Sequence, residues 1–201
     1  MSVSEQTRFT AMRDASRDDY QVIGRHSLEF FAGMPDRILS HLSLLAGDTG
    51  GYAVDRLTHS LQTATRALRD GRDDEYVVCA LLHDIGDTLA AANHSDLAAA
   101  ILKPFVSERN HWIVEQHGIF QGYYFFHHFG LDRNMRDRFR GHEYFRDCAE
   151  FCEKYDQNSF DPDYDTLPLE AFEAALRRVF AAPRKSIYVS DSGDPASQSD
   201  V

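Results

Sequence analysis

The sequence predicts an all-α protein, and three observations carry this prediction. Apolar residues recur at the 3.6-residue spacing of a helix in several segments between residues 55 and 180. Helix-capping or helix-ending residues bound several of these segments. No stretch shows the alternation of polar and apolar residues that a half-buried strand needs. At 201 residues, the chain is long enough for one domain with a sizeable core.

The first half of the chain is predicted to form three helices, over residues 55–68, 73–84 and 95–102. The first keeps an apolar stripe as far as Leu68 and stops at Asp70-Gly71, a helix-ending signal. The second follows at once as a short apolar run. Ser95-Asp96 can cap the third helix, and Pro104 ends it because proline cannot continue a helix.

The second half is predicted to form three more helices, over residues 110–126, 142–156 and 168–180. The fourth is rich in aromatic residues, and the fifth has Phe145, Ala149 and Cys152 at helical spacing. Pro168 suits the first turn of the sixth. Residues 1–20 form a polar N-terminal segment, residues 21–185 a single helical domain, and residues 186–201 a disordered tail with too few apolar groups to bury.

Composition narrows the classes of partner and the compartment. A net charge of −11 argues against a nucleic acid or an anionic membrane surface, because both attract basic patches, and favours a small-molecule substrate. No apolar stretch approaches the roughly 20 residues of a membrane span, and the polar start is no signal peptide, so a cytoplasmic protein is expected. The cysteines, Cys79, Cys148 and Cys152, are expected to be reduced core thiols.

A set of histidines and aspartates has the character of a metal site. His83-Asp84 ends the second predicted helix, and Gly86 is expected to let the chain turn both side chains toward one point by adopting angles that other residues avoid. His59 lies on a flank of the first helix. The other candidate ligands are His94, His117 and Asp156. Imidazole and carboxylate without thiolate suit iron, manganese, cobalt or nickel better than structural zinc. Asp84 has two oxygens with which it could bridge two ions.

The order of these ligands resembles a known family. His59, His83-Asp84 and Asp156 resemble the HD-domain metal-dependent phosphohydrolase superfamily, an all-helical fold, over about residues 50–160. With His94 and His117 added, the pattern resembles the mixed-valent diiron oxygenases of that superfamily. Three segments, residues 83–87, 117–124 and 155–162, resemble the members that break down trimethylammonio-phosphonates. The resemblance implies an HD-domain helical bundle with the metal site at its centre.

The same resemblance implies a ligand set and a reaction. It assigns one iron to His59, His83, Asp84 and Asp156, and the other to bridging Asp84, His94 and His117. It implies two iron ions in a mixed-valent Fe(II)/Fe(III) state, with dioxygen as cosubstrate. The implied reaction converts (R)-1-hydroxy-2-(trimethylammonio)ethylphosphonate to glycine betaine and phosphate. Asp84 and Tyr52 are the candidate catalytic residues.

Candidate substrate contacts are suggested by positions where this chain differs from better-known relatives and by side chains whose chemistry suits the implied substrate. Asp87 replaces the Lys or His of better-known relatives; it is either a solvated carboxylate at a helix end or a group that balances a cationic substrate. Gln121 stands one turn after His117 and can donate two hydrogen bonds to phosphonate oxygens. Tyr124 and Tyr52 are candidate pocket residues, since aromatic faces receive quaternary ammonium groups. Arg140 is the arginine expected to turn inward, while the rest of its basic run forms a solvated face with intrahelical pairs.

Three functional readings remain open from the sequence. The leading hypothesis is a C–P bond-cleaving diiron oxygenase. The main rival is a phosphohydrolase of a nucleotide or phosphate ester, which needs His59, His83, Asp84 and Asp156 but has no special need for His94 and His117. A catalytically silent binding module is disfavoured because no ligand position is lost. The sequence leaves the oligomeric state open.

Overall fold

Helices make up the regular structure of the computed structural model, which describes residues 6–185. Within that range the chain contains no β-strand, so the all-α prediction is confirmed. The helices are α1 (Arg17–Ala32), α2 (Met34–Leu42), α3 (Arg56–Arg69), α4 (Asp74–Leu82), α5 (Asp87–Ala90), α6 (His94–Leu102), α7 (Glu108–Phe125), α8 (Phe145–Lys154) and α9 (Glu170–Val179). Short 3-10 helices are Met12–Asp14, Ser43–Leu45, Phe126–Phe129, Met135–Phe139 and Asp156–Asn158.

The chain divides into two compact units, Met1–Ile38 and Leu39–Val201. The first unit contains α1, which starts with a capping box in which the Ser16 hydroxyl accepts from the Asp19 amide and the Asp19 carboxylate accepts in return. No residue of α1 is buried. Part of the predicted polar segment is therefore helical, from Arg17 onward. Residues 1–5 and the predicted disordered tail, residues 186–201, lie outside the described residues.

Side-chain caps explain where the helices of the second unit begin. Asp55 accepts a hydrogen bond from the Thr58 amide and so starts α3, and Asp73 starts α4 in the same way. The predicted cap of α6 is wrong. This helix begins at His94, so Ser95 lies inside its first turn together with Asp96. Residues 17–42 and the single turn α5 are helical although no helix was predicted there.

The core of the second unit is built around α4. Residues 76–82 of this helix are all buried, and the helix packs against α3, α7 and α9. A helix that is apolar on every face can bury all of them only at the centre of a bundle. In turn, α7 packs against α6 and α8. The end of α4, where His83 and Asp84 follow, is therefore enclosed by the helices that carry the other candidate ligands.

The three cysteines lie in the core. Cys79, Cys148 and Cys152 are buried and form no disulfide, as predicted. Burial raises the pKa of the Cys79 and Cys152 thiols well above the ordinary value, which keeps them protonated and unreactive. Among the described residues, no helix combines the length and the apolar character needed to cross a membrane.

Candidate metal centre

Four side chains converge at the buried end of α4 to form a first ligand cluster. His59 Nε2 lies 3.1 Å from His83 Nε2 and 3.3 Å from Asp156 Oδ1. Asp84 Oδ2 lies 3.4 Å from His59 Nε2 and 3.3 Å from His83 Nε2. Metal–ligand bonds of about 2.0–2.2 Å place neighbouring ligands roughly 3.0–3.5 Å apart, so these atoms have the spacing of one coordination sphere.

A second cluster forms around the other oxygen of Asp84. Asp84 Oδ1 lies 3.1 Å from His117 Nε2 and 3.3 Å from His94 Nε2. The two imidazole nitrogens are 3.3 Å apart, which completes a nearly equilateral triangle. Asp84 therefore directs one oxygen into each cluster. All six residues singled out in the sequence are brought together, from α3, the end of α4, α6, α7 and the 3-10 helix after α8.

The tautomers of the histidines show that these clusters fit cations. The Nδ1 atoms of His59, His83 and His117 each contact a backbone carbonyl, at 2.9, 2.8 and 2.6 Å. A carbonyl only accepts, so each Nδ1 donates its hydrogen, and Nε2 is the nitrogen that a metal ion can bind. The converging Nε2 atoms and carboxylate oxygens need positive charge among them, from metal ions or from protons. The buried Asp156 Oδ2 also has no hydrogen-bond partner. The donor set therefore fits two metal ions.

Burial and the close approach of histidines and aspartates shift the pKa values of the four residues in the first cluster. Burial lowers the pKa of His59, but the hydrogen bonds and charges of Asp156 and Asp84 outweigh it and raise the pKa to about 9. The pKa of His83 is also raised, mainly by the charge of Asp84 acting against burial. Burial raises the pKa of both carboxylates, and the histidines lower it by more. Protons and metal ions therefore compete for the same lone pairs.

This competition predicts how the stability of the chelator-treated protein depends on pH. Because the pKa of His59 is raised from 6.5 to about 9 in the folded state, its contribution is complete below pH 6.5 and is lost as the pH rises through about 9. We expect the free energy of unfolding, measured by urea titration, to fall across this window. Protein saturated with metal should show a weaker fall. A free energy that stays constant or rises without metal contradicts the prediction.

Gly86 serves the site for a different reason than the sequence suggested. Its backbone angles, φ −73° and ψ −17°, are open to any residue, so the predicted need for unusual angles is wrong. Instead, a Cβ atom at Gly86 would lie 2.3 Å from the backbone oxygen of His94 and 2.8 Å from its Cα. Glycine allows the chain after Asp84 to pass directly against the start of α6. This close approach brings His94 to the second cluster.

A cavity of about 500 Å³ opens onto the two clusters. Five of the six candidate ligands line it, and the exception is His83, which is fully buried behind them. A volume of this size suits a small molecule. The remaining lining residues are Thr49, Gly50, Tyr52, Val54, Asp55, Arg56, Asp87, Ala91, Gly118, Gln121, Tyr124, Phe125, Gln157 and Phe160. Four of the five residues predicted to be catalytic or substrate-binding beyond the ligands are among them.

The predicted substrate contacts have different surroundings. Tyr52 is 55% exposed and lies at the rim of the cavity, and Tyr124 lies deeper. Gln121 Nε2 donates to Asp156 Oδ1 at 3.0 Å, so its amide holds a candidate ligand. Asp87 is paired with Arg56 rather than open to a cation. Arg140 does not line the cavity.

The basic segment around Arg140 faces away from the candidate ligands. The Arg140 side chain is 69% exposed and pairs with Asp137 at 2.9 Å, which is the intrahelical pairing predicted for its neighbours. Arg133 and Arg136 instead lie over the Tyr123 ring, 4.2 and 3.6 Å from its centroid. The sequence could not show this, because the chain between α7 and α8 turns these side chains onto α7.

Among the cavity residues with no predicted role, Arg56 and Phe160 contact other residues of the site. Arg56 lies one turn before His59, and helical spacing could have placed it on the same face. Its guanidinium contacts both Asp87 and Asp48. Phe160 stacks on the His59 ring with centroids 4.4 Å apart, and Tyr52 stacks on Phe160 at 4.7 Å. The resemblance over residues 155–162 includes Phe160 but assigns it no role, because its position against His59 depends on contacts between segments about 100 residues apart.

Buried hydrogen bonds hold this aromatic stack in place. The Gln62 side chain donates to the Asp161 carbonyl at 2.6 Å and accepts from the Asp161 amide at 3.2 Å. His59 Nδ1 donates to the Ser159 carbonyl. His59 and Gln62, both on α3, thus form hydrogen bonds with the backbone on either side of Phe160. The wall of the cavity above His59 is therefore preorganised.

The fold and the clusters together define a helical domain with a histidine and aspartate metal centre. In comparison with protein families, residues 56–154 match the HD domain. This part of the chain therefore matches a family whose members are mostly metal-dependent enzymes. The matched range contains His59, His83-Asp84, His94 and His117, and Asp156 follows two residues after it. No curated protein matched the chain in the search of those proteins.

Proposed function

We propose that the protein is a nonheme diiron oxygenase that uses dioxygen to cleave the C–P bond of (R)-1-hydroxy-2-(trimethylammonio)ethylphosphonate, giving glycine betaine and phosphate. The observation that carries the proposal is the bridging geometry of Asp84, with one oxygen in each of two ligand clusters. Residues 83–87, 117–124 and 155–162 resemble those of TmpB, an oxygenase of trimethylammonio-phosphonate breakdown. The reaction balances with one dioxygen and needs no external reductant.

The charge of the centre supports an anionic reacting group. The six candidate ligands of the two clusters comprise two carboxylates, Asp84 and Asp156, and four histidines. Two ions of charge +2 or +3 exceed the two carboxylate charges, so the loaded centre attracts a phosphonate. The second cluster has three protein ligands facing the cavity, which leaves room for a bound substrate. Iron bound at the two clusters would supply dioxygen binding and one-electron oxidation.

The walls of the cavity support a quaternary ammonium head group. Tyr52, Tyr124, Phe125 and Phe160 all line the cavity. An aromatic face attracts a cation by roughly 0.5–2 kcal/mol when the pair is desolvated. Such rings also exclude water around the methyl groups. A substrate with an anionic end at the ligands and a trimethylammonium end among the rings fits this distribution.

The surrounding residues orient the ligands for this chemistry. Gln121 donates to Asp156 Oδ1 and keeps that oxygen an acceptor directed at the first cluster. Phe160 covers the outer face of the His59 ring and limits the access of water. Tyr52 lies over Phe160 at the cavity rim, where it can contact the head group. These contacts support a role for Tyr52 and Gln121 in positioning.

Oxygen dependence tests the proposed reaction. Iron-loaded protein is expected to release phosphate from the hydroxyphosphonate in air and to lose this release under anaerobic conditions, because dioxygen is a stoichiometric reactant. Phosphate release and glycine betaine are measured together. Phosphocholine, a phosphate ester with the same head group, serves as the control substrate and should not be cleaved. Release that continues without oxygen overturns the oxygenase proposal.

A metal-dependent phosphohydrolase is the second candidate, and the match to the HD domain favours it. In that reaction the first cluster suffices, since His59, His83, Asp84 and Asp156 can hold one ion. Replacing His117 by alanine separates the candidates. A hydrolase of this kind would keep appreciable activity on a phosphate ester, whereas the oxygenase would lose its activity with the second ion.

A further inference from the structure

His94 is held differently from the other candidate histidine ligands. The Nδ1 atoms of His59, His83 and His117 contact backbone carbonyls at 2.9, 2.8 and 2.6 Å, which lock their rings. His94 is the first residue of α6, and its side chain is 28% exposed, more than any other candidate ligand. Its Nδ1 faces Asp87 Oδ1 at 3.4 Å. The orientation of this ring therefore depends on a carboxylate.

Asp87 is itself anchored. Its side chain is only 8% exposed, and its second oxygen pairs with Arg56. Arg56 also contacts Asp48 through Nε at 3.3 Å, so the guanidinium is held between two carboxylates. The backbone amide of Asp87 donates to the Asp84 carbonyl at 3.0 Å, within the same turn. The bridging ligand, the anchor and His94 thus form one connected unit.

We propose that Asp87, anchored by Arg56, is a positioning residue that orients His94 and thereby controls occupancy of the second metal position. A carboxylate on Nδ1 keeps the proton there and leaves the Nε2 lone pair for the metal. This inference rests on the proposed two-ion centre and replaces a direct role of Asp87 in binding substrate. The histidines of the first cluster do not depend on it, because backbone carbonyls hold their rings.

Binding of ferrous iron alone, added without oxygen to the full-length protein after chelation, tests the proposal. Wild-type protein is expected to bind two ions per chain. For Asp87→Asn and Asp87→Ala, we expect the second dissociation constant to rise about 10- to 100-fold, as for other partners of metal-bound histidines, with the first unchanged. Arg56→Gln should weaken the same ion by a smaller factor.

Asp96→Asn provides the matched control. Asp96 is an exposed carboxylate in the first turn of α6, two residues after His94, and it does not line the cavity. This variant should bind both ions as the wild type does. Far-UV circular dichroism checks that each variant is folded. Unchanged binding of the second ion in both Asp87 variants overturns the proposal.

A double variant separates positioning from a general structural effect. His94→Ala should bind one ion, and adding Asp87→Asn to it should change nothing further, because Asp87 acts only through His94. A further loss of the first ion in the double variant overturns the proposal. If the wild type binds two ions and Asp87→Asn loses one, but oxygen has no effect on phosphate release, then the proposed reaction fails and the role of Asp87 stands.

Discussion

Replacement of Asp84 by alanine is expected to abolish the binding of both metal ions and to reduce phosphate release by roughly 10⁴-fold or more, as for residues of a catalytic unit. The reason is geometric. Asp84 Oδ2 lies 3.4 Å from His59 Nε2, and Asp84 Oδ1 lies 3.1 Å from His117 Nε2. A single side chain therefore completes both clusters. Metal content per chain and phosphate release are the measurements.

Comparison with single-cluster variants makes the Asp84 result decisive. His83→Ala should weaken only the first ion, and His117→Ala only the second, because each belongs to one cluster. Asp163→Ala is the matched control, since this exposed aspartate does not line the cavity, and it should keep both ions. An Asp84→Ala variant that still binds one ion with wild-type affinity would show that Asp84 does not bridge.

Replacement of Gly86 by alanine is expected to lower the free energy of unfolding by about 3 kcal/mol, the upper range for inserting a methyl group into a packed site. The added Cβ would lie 2.3 Å from the backbone oxygen of His94. Backbone cannot move aside as a flexible side chain can, so α6 must shift. We also expect weaker binding of the second ion, because His94 moves with the helix.

Urea unfolding of the chelated protein measures this effect. The backbone angles at Gly86 suit alanine, so strain in the main chain does not contribute, and the clash with His94 must outweigh the small stabilisation that alanine gives by restricting the unfolded chain. Gly141→Ala is the control, because a Cβ atom there meets no other atom within 4 Å. It should change the free energy of unfolding by no more than about 0.5 kcal/mol. Equal stability of the Gly86 variant and wild type would contradict the predicted clash.

Much of the helical scaffold was accessible from local patterns. The starts of α3 and α4 were predicted within one residue from the apolar period, and the structure adds that the Asp55 and Asp73 side chains cap these helices. Helices α1 and α2 and the single turn α5 were not assigned. Helix α1 has no buried residue, and helix prediction from periodicity relies on a buried face. The start of α6 was misplaced because two capping residues follow His94 directly.

The residues of the candidate site were also predicted only in part from the sequence. The pattern of six histidines and aspartates marked every residue that the structure brings into the two clusters. It gave no role to Arg56 or Phe160, and it left the partner of Asp87 open. Arg56 pairs with Asp87 across 31 residues, and Phe160 reaches His59 across about 100. Such contacts depend on how helices pack, which leaves no periodic trace in the chain.

The sequence by itself determined the helical class, the chemical identity of the candidate ligands and their order along the chain. Helical periodicity and ligand chemistry are local properties of residues, so they can be recognised in the sequence alone. Only the tertiary structure decided which oxygen of Asp84 faces which histidines, that Asp87 lies against His94, and why residue 86 is glycine. Each of these depends on distances of a few ångströms between separate segments. Those distances are set by packing of the whole core around α4.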